Sequence, residues 1–332
     1  MLNIITINSQ NWEQYIENVP RKLLVYGPDT VHARGIFCAN NKLFTANSNG
    51  HVYEFDLKKN KTKQWTVEPF VELRDIHIHQ DQIHFMQSND SCVAGSIKKK
   101  YKNKEIIFTQ PIQTFLDGFD FLYSGRGIML GDPVDGKFQF YLKEKDSLNW
   151  KKIESDNLKI EKGEAAFAAS GSCIQILDDS TFYFISGGKN SNLFTSFDNA
   201  STWKKYKLPF KSSESSGAFS FVFWNKKEGI VVGGDYLNPQ NGKDCCFLTN
   251  DGGKTWKEPI KGLGGYRSCV IKVDDCLYAC GTNGIDVSND NGMHWYLVDK
   301  SNSFSLCFDE KFVYATTING KILQLKRWKN IK

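Results

Sequence analysis

Ten side chains in this chain carry the groups that could do chemistry: Arg34, Arg74 and Arg267, the carboxylates Asp75, Asp117, Asp120, Asp132, Glu164 and Asp235, and Tyr236. A guanidinium is a planar fork of donors and binds a carboxylate through two parallel hydrogen bonds. A tyrosine beside a carboxylate can be made nucleophilic, and a carboxyl pair roughly 5–10 Å apart is the geometry of glycosidic cleavage. Two chemistries therefore stand open. One is recognition of an acidic group. The other is hydrolysis or elimination at a sugar, with Glu164, Asp235 and Tyr236 as catalytic candidates. Each residue also has a plain structural alternative. Arg34 and Arg74 could bridge neighbouring elements to Asp75 or Asp120, and Asp132 before Pro133 could hold a turn. No local motif decides between these readings, so the elements that position the residues must.

Those elements repeat. Thr249-Asn250-Asp251-Gly252-Gly253-Lys254-Thr255-Trp256 reads S/T-x-D-x-G-x-T-W. Ser288-Asn289-Asp290-Asn291-Gly292-Met293-His294-Trp295 repeats it with His for the second Thr. Ser196-Phe197-Asp198-Asn199-Ala200-Ser201-Thr202-Trp203 repeats it with Ala for Gly. The pattern is that of the Asp-box, or BNR repeat. Its physics is local. The Asp accepts hydrogen bonds from its own tight turn, the Gly supplies a positive φ, and the Trp covers the neighbouring sheet. Asp198, Trp203, Asp251, Trp256, Asp290 and Trp295 are therefore read as structural. Ala200 weakens its copy, because Ala resists the left-handed conformation.

Copies at blade-length intervals predict a repeat architecture: an all-β, seven-bladed propeller in one domain, residues 1–332. Blade two shows no box, so six or eight blades stay open. The expected inner strands begin near Ala33, Arg74, Asp120, Ala165, Ala218, Ser268 and Ser305. Blade seven has three clear strands, and Asn3–Ile7 is a strand with no blade of its own. Pairing the two closes the ring and covers an exposed edge. In such a ring, the starts of inner strands and the loops between second and third strands share one mouth of the central tunnel. That gathers Arg34, Arg74-Asp75, Asp117 to Asp120, Glu164 and Arg267 with Gly131-Asp132-Pro133-Val134-Asp135-Gly136 and Gly233-Gly234-Asp235-Tyr236.

Composition narrows the rest. The net charge of +5 is mild for 332 residues and argues for no nucleic acid. The basic run Lys98-Lys99-Lys100-Tyr101-Lys102-Asn103-Lys104 reads as a solvated hairpin tip. Nine cysteines form no CxxC pair and no zinc spacing, so no metal is expected. Cys38, Cys269, Cys280 and Cys307 sit in apolar runs as small hydrophobes. All nine thiols are expected to be reduced, as in a cytoplasmic chain, which mass measurement after alkylation without reductant tests. Cys245-Cys246 is read as packing. The first residues carry no basic-then-apolar leader, and no window is long and apolar enough to span a membrane. An exported protein from which a leader had been removed would read the same. There is no P-loop and no G-x-G-x-x-G before a helix, so no cofactor is expected; Gly262-Leu263-Gly264-Gly265 is a turn. His77 and His79 share a strand face and read as satisfied, partly exposed strand histidines rather than a metal pair.

From about Arg34 to Leu325 the chain resembles the Asp-box propellers, in particular those similar to photosystem II assembly and stability factors. The stretches Arg74-Asp75-Ile76-His77, Asp117-Gly118-Phe119-Asp120-Phe121, 131–136, 163–171 and Gly233-Gly234-Asp235-Tyr236 carry the likeness. It implies a protein-binding scaffold without catalytic machinery. Sialidases resemble it more distantly, with an arginine triad, a Tyr–Glu nucleophile pair and an Asp acid/base, but their Arg-Ile-Pro type motif is missing here. The expectation is thus a monomeric binding propeller whose mouth engages a protein segment or a small acidic or sugar-like ligand. The contrasting reading is a glycoside hydrolase or lyase of sialidase-like type.

Overall fold

Short runs of alternating apolar and polar residues, each closed by a tight turn, build seven small antiparallel sheets. The computed structural model describes residues 11–67, 71–80, 82–88, 92–98, 105–108, 114–145, 147 and 149–329. The sheets stand round a tunnel as the blades of a propeller. The inner strands are Ala33–Ala39, Leu73–His79, Leu116–Phe121, Ile174–Asp178, Ser216–Phe223, Cys269–Val273 and Ser303–Phe308, in blades 1 to 7. Each blade is too small to bury both its faces, so the core lies between blades. Phe44 and Val52 of blade 1 pack on Ile76, Ile83 and Phe85 of blade 2. The largest cluster joins Phe138 and Phe140 of blade 3 to Phe184 and Phe194 of blade 4 and Phe221 and Phe247 of blade 5. No helix among the described residues is long and apolar enough to cross a membrane.

The ring closes by pairing an early strand with the last one, but through a different segment from that expected. Arg21–Val25 is the outer strand of blade 7, in register from Arg21↔Leu325 to Val25↔Lys321. Asn3–Ile7 lies outside the described residues. Residues 11–18 instead precede the closing strand as a short helix. Its Trp12 packs edge-on against Trp328 at 5.1 Å between ring centroids. The closing strand follows Pro20 and sends Leu24 into the core between blades 7 and 1.

Three turns at 196–203, 249–256 and 288–295 share one hydrogen-bond scheme. Asp251 accepts the Thr255 N–H at 3.0 Å, the Thr255 hydroxyl at 2.6 Å and the Thr249 hydroxyl at 2.9 Å. Asp198 does the same with Thr202 and Ser196. At Asp290 the ring Nδ1 of His294 stands where the threonine hydroxyl stands in the other two, at 2.6 Å. Ala200 adopts φ 61°, the conformation that glycine accepts freely. Trp203 and Trp295 are buried and Trp256 partly so.

Blade 4 departs most from its expected course. The run beginning at Ala165 is not its inner strand, which starts only at Ile174. Instead residues 166–172 cross the tunnel. Arg74 of blade 2 donates to the Ala168 carbonyl at 3.2 Å. The Ser172 hydroxyl meets Ser220 of blade 5 at 2.6 Å, and Ser170 donates to the Ser268 carbonyl of blade 6 at 2.7 Å. Ser305 of blade 7 donates to the Ser170 carbonyl at 3.5 Å. A segment that touches blades on opposite sides of the ring must lie across its axis. The small side chains of Ala168, Ala169, Ser170, Gly171 and Ser172 permit this. Gly171, at φ 75°, faces the Asp75 carboxyl so closely that a Cβ there would overlap it.

Candidate functional site

The crossing segment divides the tunnel in two. Above it, on the face of the interblade loops, lies a cavity of about 400 Å³. Ala166, Ala168 and Ala169 form its floor; Arg34, Arg74 and Tyr236 reach it, and its walls are Phe115, Phe167, Phe219, Tyr266 and Phe304. Below the segment, a second cavity of about 460 Å³ opens toward the other face. The three box-like turns lie on that lower face, since they join third strands to fourth.

The two upper arginines share one carboxylate. Glu72 sits in the loop between blades 1 and 2 and accepts Arg34 Nε at 3.4 Å and Arg74 Nη2 at 2.9 Å. His32 Nε2 approaches the same group at 3.7 Å. Burial opposes ionisation of Glu72, but His32, Arg74 and Arg34 outweigh it and hold its carboxyl below the usual range. Each guanidinium also lies over a ring, Arg34 5.5 Å from the centre of Phe304 and Arg74 5.8 Å from Phe115, a favourable arrangement for a partly desolvated cation. Opposite them Phe167 and Phe219 stack at 4.1 Å, with Tyr266 edge-on to Phe219 at 4.8 Å. Two arginines against one glutamate leave one positive charge, and the cavity lining holds no carboxylate.

Of the residues singled out from the sequence, Arg34, Arg74 and Tyr236 come together at this mouth. Asp75 and Asp120 do not. Each lies in an inner strand and hooks the next blade: Asp75 accepts the N–H groups of Ile76 and Phe119, and Asp120 those of Phe121 and Ile176. Burial pushes the Asp75 carboxyl up to about 8 and that of Asp120 up to about 6. Asp132 accepts the Ala166 N–H at 3.3 Å and so holds the start of the crossing segment. Glu164 is buried and fully engaged by Lys205 at 2.9 Å, Asn192 at 2.8 Å and the Ser186 hydroxyl. Asp235 caps its own turn by accepting the Leu237 N–H. Arg267 is wholly buried and donates to Asp286 at 2.7 Å and to the Tyr266 carbonyl at 2.8 Å. Asp117 is buried beneath the mouth, outside its lining.

Glu72 and the aromatic wall escaped the sequence reading. Their signal was present. Glu72 and Arg74 are two apart across the entry to the blade 2 inner strand, as are His32 and Arg34 across that of blade 1, and Phe115, Tyr266 and Phe304 each stand at the entry to an inner strand. His77 lies between the rings of Phe37 and Phe121 at 4.5 and 4.6 Å, and burial pushes it down to about 3. Among the described residues no cluster could hold a metal ion. Of the basic run, Lys98 ends a strand and 99–104 lie outside the described residues.

The fold and mouth define a seven-bladed β-propeller with a floored tunnel. Virginiamycin B lyase from Staphylococcus aureus is similar over 94% of this chain and 100% of its own, at 14% identity and a TM-score of 0.69. YCF48 from Cyanidioschyzon merolae is similar over 92% of this chain and 98% of its own, at 15% identity and a TM-score of 0.63. A structure of YCF48 bound to D1 peptide is similar over 93% and 97%, at 12% identity and a TM-score of 0.65. At such identities the likeness is one of fold. No protein-family model and no curated protein sequence matches the chain.

Proposed function

We propose that this chain is a binding propeller, a scaffold whose upper mouth engages an acidic group carried by a protein segment or a small ligand. The observation that carries this is the uncompensated positive charge of Arg34 and Arg74 in an aromatic cavity. A carboxylate entering there meets donors already oriented by Glu72 and the flanking rings, so little ordering is required on binding. The floor stops a chain from threading through, so the occupant enters and leaves by one opening. A structure of the same fold holds a bound peptide, D1, which supports a peptide as the kind of occupant. The three turns, read as Asp-boxes, belong to the scaffold and stand away from the mouth.

A carboxylate-pair glycosidase finds less support. Glu164 is occupied by Lys205, Ser186 and Asn192, and Asp235 by its own turn. The test is fluorescence polarisation with labelled peptides rich in Asp, Glu and aromatic residues, against the same peptides carrying Asn and Gln. Tight binding of the acidic set alone, lost in Arg34→Ala and Arg74→Ala, is expected. Equal binding of both sets, or of neither, sinks the proposal.

A further inference from the structure

Asp117 occupies the bulge at the start of the blade 3 inner strand and is fully buried. Among the described residues neither of its carboxyl oxygens has a hydrogen-bond partner. A polar group left unpaired at that depth is costly and calls for a reason. The charged and titratable groups around it are Asp132 from the next strand of its own blade, Arg74 from blade 2, and Cys173 where the crossing segment ends. Burial first, and then Asp132, raise its carboxyl well above the usual range, while Arg74 opposes them.

Arg74 shows the complementary gap. Its Nη1 and Nη2 are engaged by the Ala168 carbonyl and Glu72. Its Nε is buried and, among the described residues, has no acceptor. A guanidinium that lines the mouth thus keeps an open donor, near a carboxyl with open acceptors.

We propose that Asp117 is a proton-operated positioning residue for Arg74: as the neutral acid it leaves the guanidinium to an anion in the mouth, and as the carboxylate it competes for it. The step breaks one O–H bond. The proton passes to water, and the negative charge that remains stands beside Arg74 in a poorly screened interior. The inference rests on reading the mouth as a carboxylate site. Its sign is fixed: anion affinity is highest while Asp117 is protonated and falls as pH rises through its raised pKa.

The experiment measures binding of phenylacetate to the intact chain by calorimetry between about pH 6 and 10. Losing one charge-assisted hydrogen bond weakens binding by roughly ten- to a hundredfold, and a fall of that order is expected for the wild type toward high pH. Asp117→Asn, neutral throughout, should keep the tight value. A flat wild-type profile overturns the role of Asp117. So does a fall that persists in the variant, because it would then come from another group, the Asp75 carboxyl next to Arg74 in the chain first among them. A second readout needs no ligand. A carboxyl raised in the folded state contributes stability that is lost as pH rises through its folded value. The melting temperature of Asp117→Asn should therefore gain on the wild type as pH rises, and parallel curves overturn the proposal. If phenylacetate binds at no pH, the carboxylate reading of the mouth fails and this inference falls with it. Binding that depends on Arg74 but not on pH removes only Asp117.

Discussion

Asp75 Oδ2 accepts the backbone N–H of Phe119 at 3.1 Å, tying the inner strand of blade 2 to that of blade 3. Its other oxygen accepts Ile76 N–H at 2.8 Å. Asp75→Ala strands two buried donors. Roughly 2–4 kcal/mol of stability should be lost, read as a lower denaturant midpoint at unchanged slope. A loss within experimental error of zero would show that water replaces the carboxylate and that the hook between blades carries no weight.

Gly171 and Gly136 separate two effects. Both have positive φ, near 75°. A Cβ at Gly136 meets nothing within 4 Å, whereas one at Gly171 overlaps the Asp75 carboxyl. Gly136→Ala should cost about 1 kcal/mol, the conformational term alone. Gly171→Ala adds overpacking and should cost roughly 2–4 kcal/mol. Equal costs would mean that the crossing segment moves aside freely and does not form a fixed floor.

Mouth and turns should respond in opposite ways. Arg34 is partly exposed and its pair with Glu72 is screened, so Arg34→Ala should change stability by about 0–1 kcal/mol while weakening capture of acidic peptides. Trp295 is fully buried, and Trp295→Ala should cost about 3–5 kcal/mol without altering the affinity of the folded fraction. If Arg34→Ala lowers the melting temperature as far as Trp295→Ala does, the mouth arginines are chiefly interblade braces.

Acid should find the turns. The Thr255 hydroxyl, then its N–H, hold the half-buried Asp251 carboxyl down at about 2. A carboxyl depressed in the folded state gives stability that is present above its unfolded value and lost as pH falls through the folded one. The wild type should therefore lose melting temperature between about pH 4 and 2 more steeply than Asp251→Asn, which starts lower at neutral pH. Parallel acid limbs would contradict this.

The propeller architecture was legible because the turns at 196–203, 249–256 and 288–295 encode their geometry locally, whereas three such turns could not by themselves decide between six, seven and eight blades. The mouth was half legible. Arg34, Arg74 and Tyr236 converge as inner-strand and loop positions should. Asp75 and Asp120 do not, because alternation along a strand places a side chain on one face without saying whether a neighbouring blade's N–H group already waits there. The Ala166-Phe167-Ala168-Ala169 run reads as strand by composition. What takes it across the tunnel is Gly171 at positive φ and the hydroxyls of Ser170 and Ser172, whose partners lie in other blades and leave no mark nearby in sequence. Arg267 misled for the same reason, since Asp286 neutralises it across a strand pair.

Closure of blade 7 by Arg21–Val25 also sets an order of events. Every other strand pairing among the described residues joins residues far nearer in sequence, whereas Arg21 and Leu325 are separated by roughly 300 residues. The entropy of bringing so distant a pair together is regained only once the intervening sheets have formed and shortened the gap. The closure is thus a clasp of five residues, Arg21–Val25, backed by the helix before it through Trp12 on Trp328 and the Tyr15 hydroxyl on the Lys326 carbonyl, and its loss would open the ring at one defined seam.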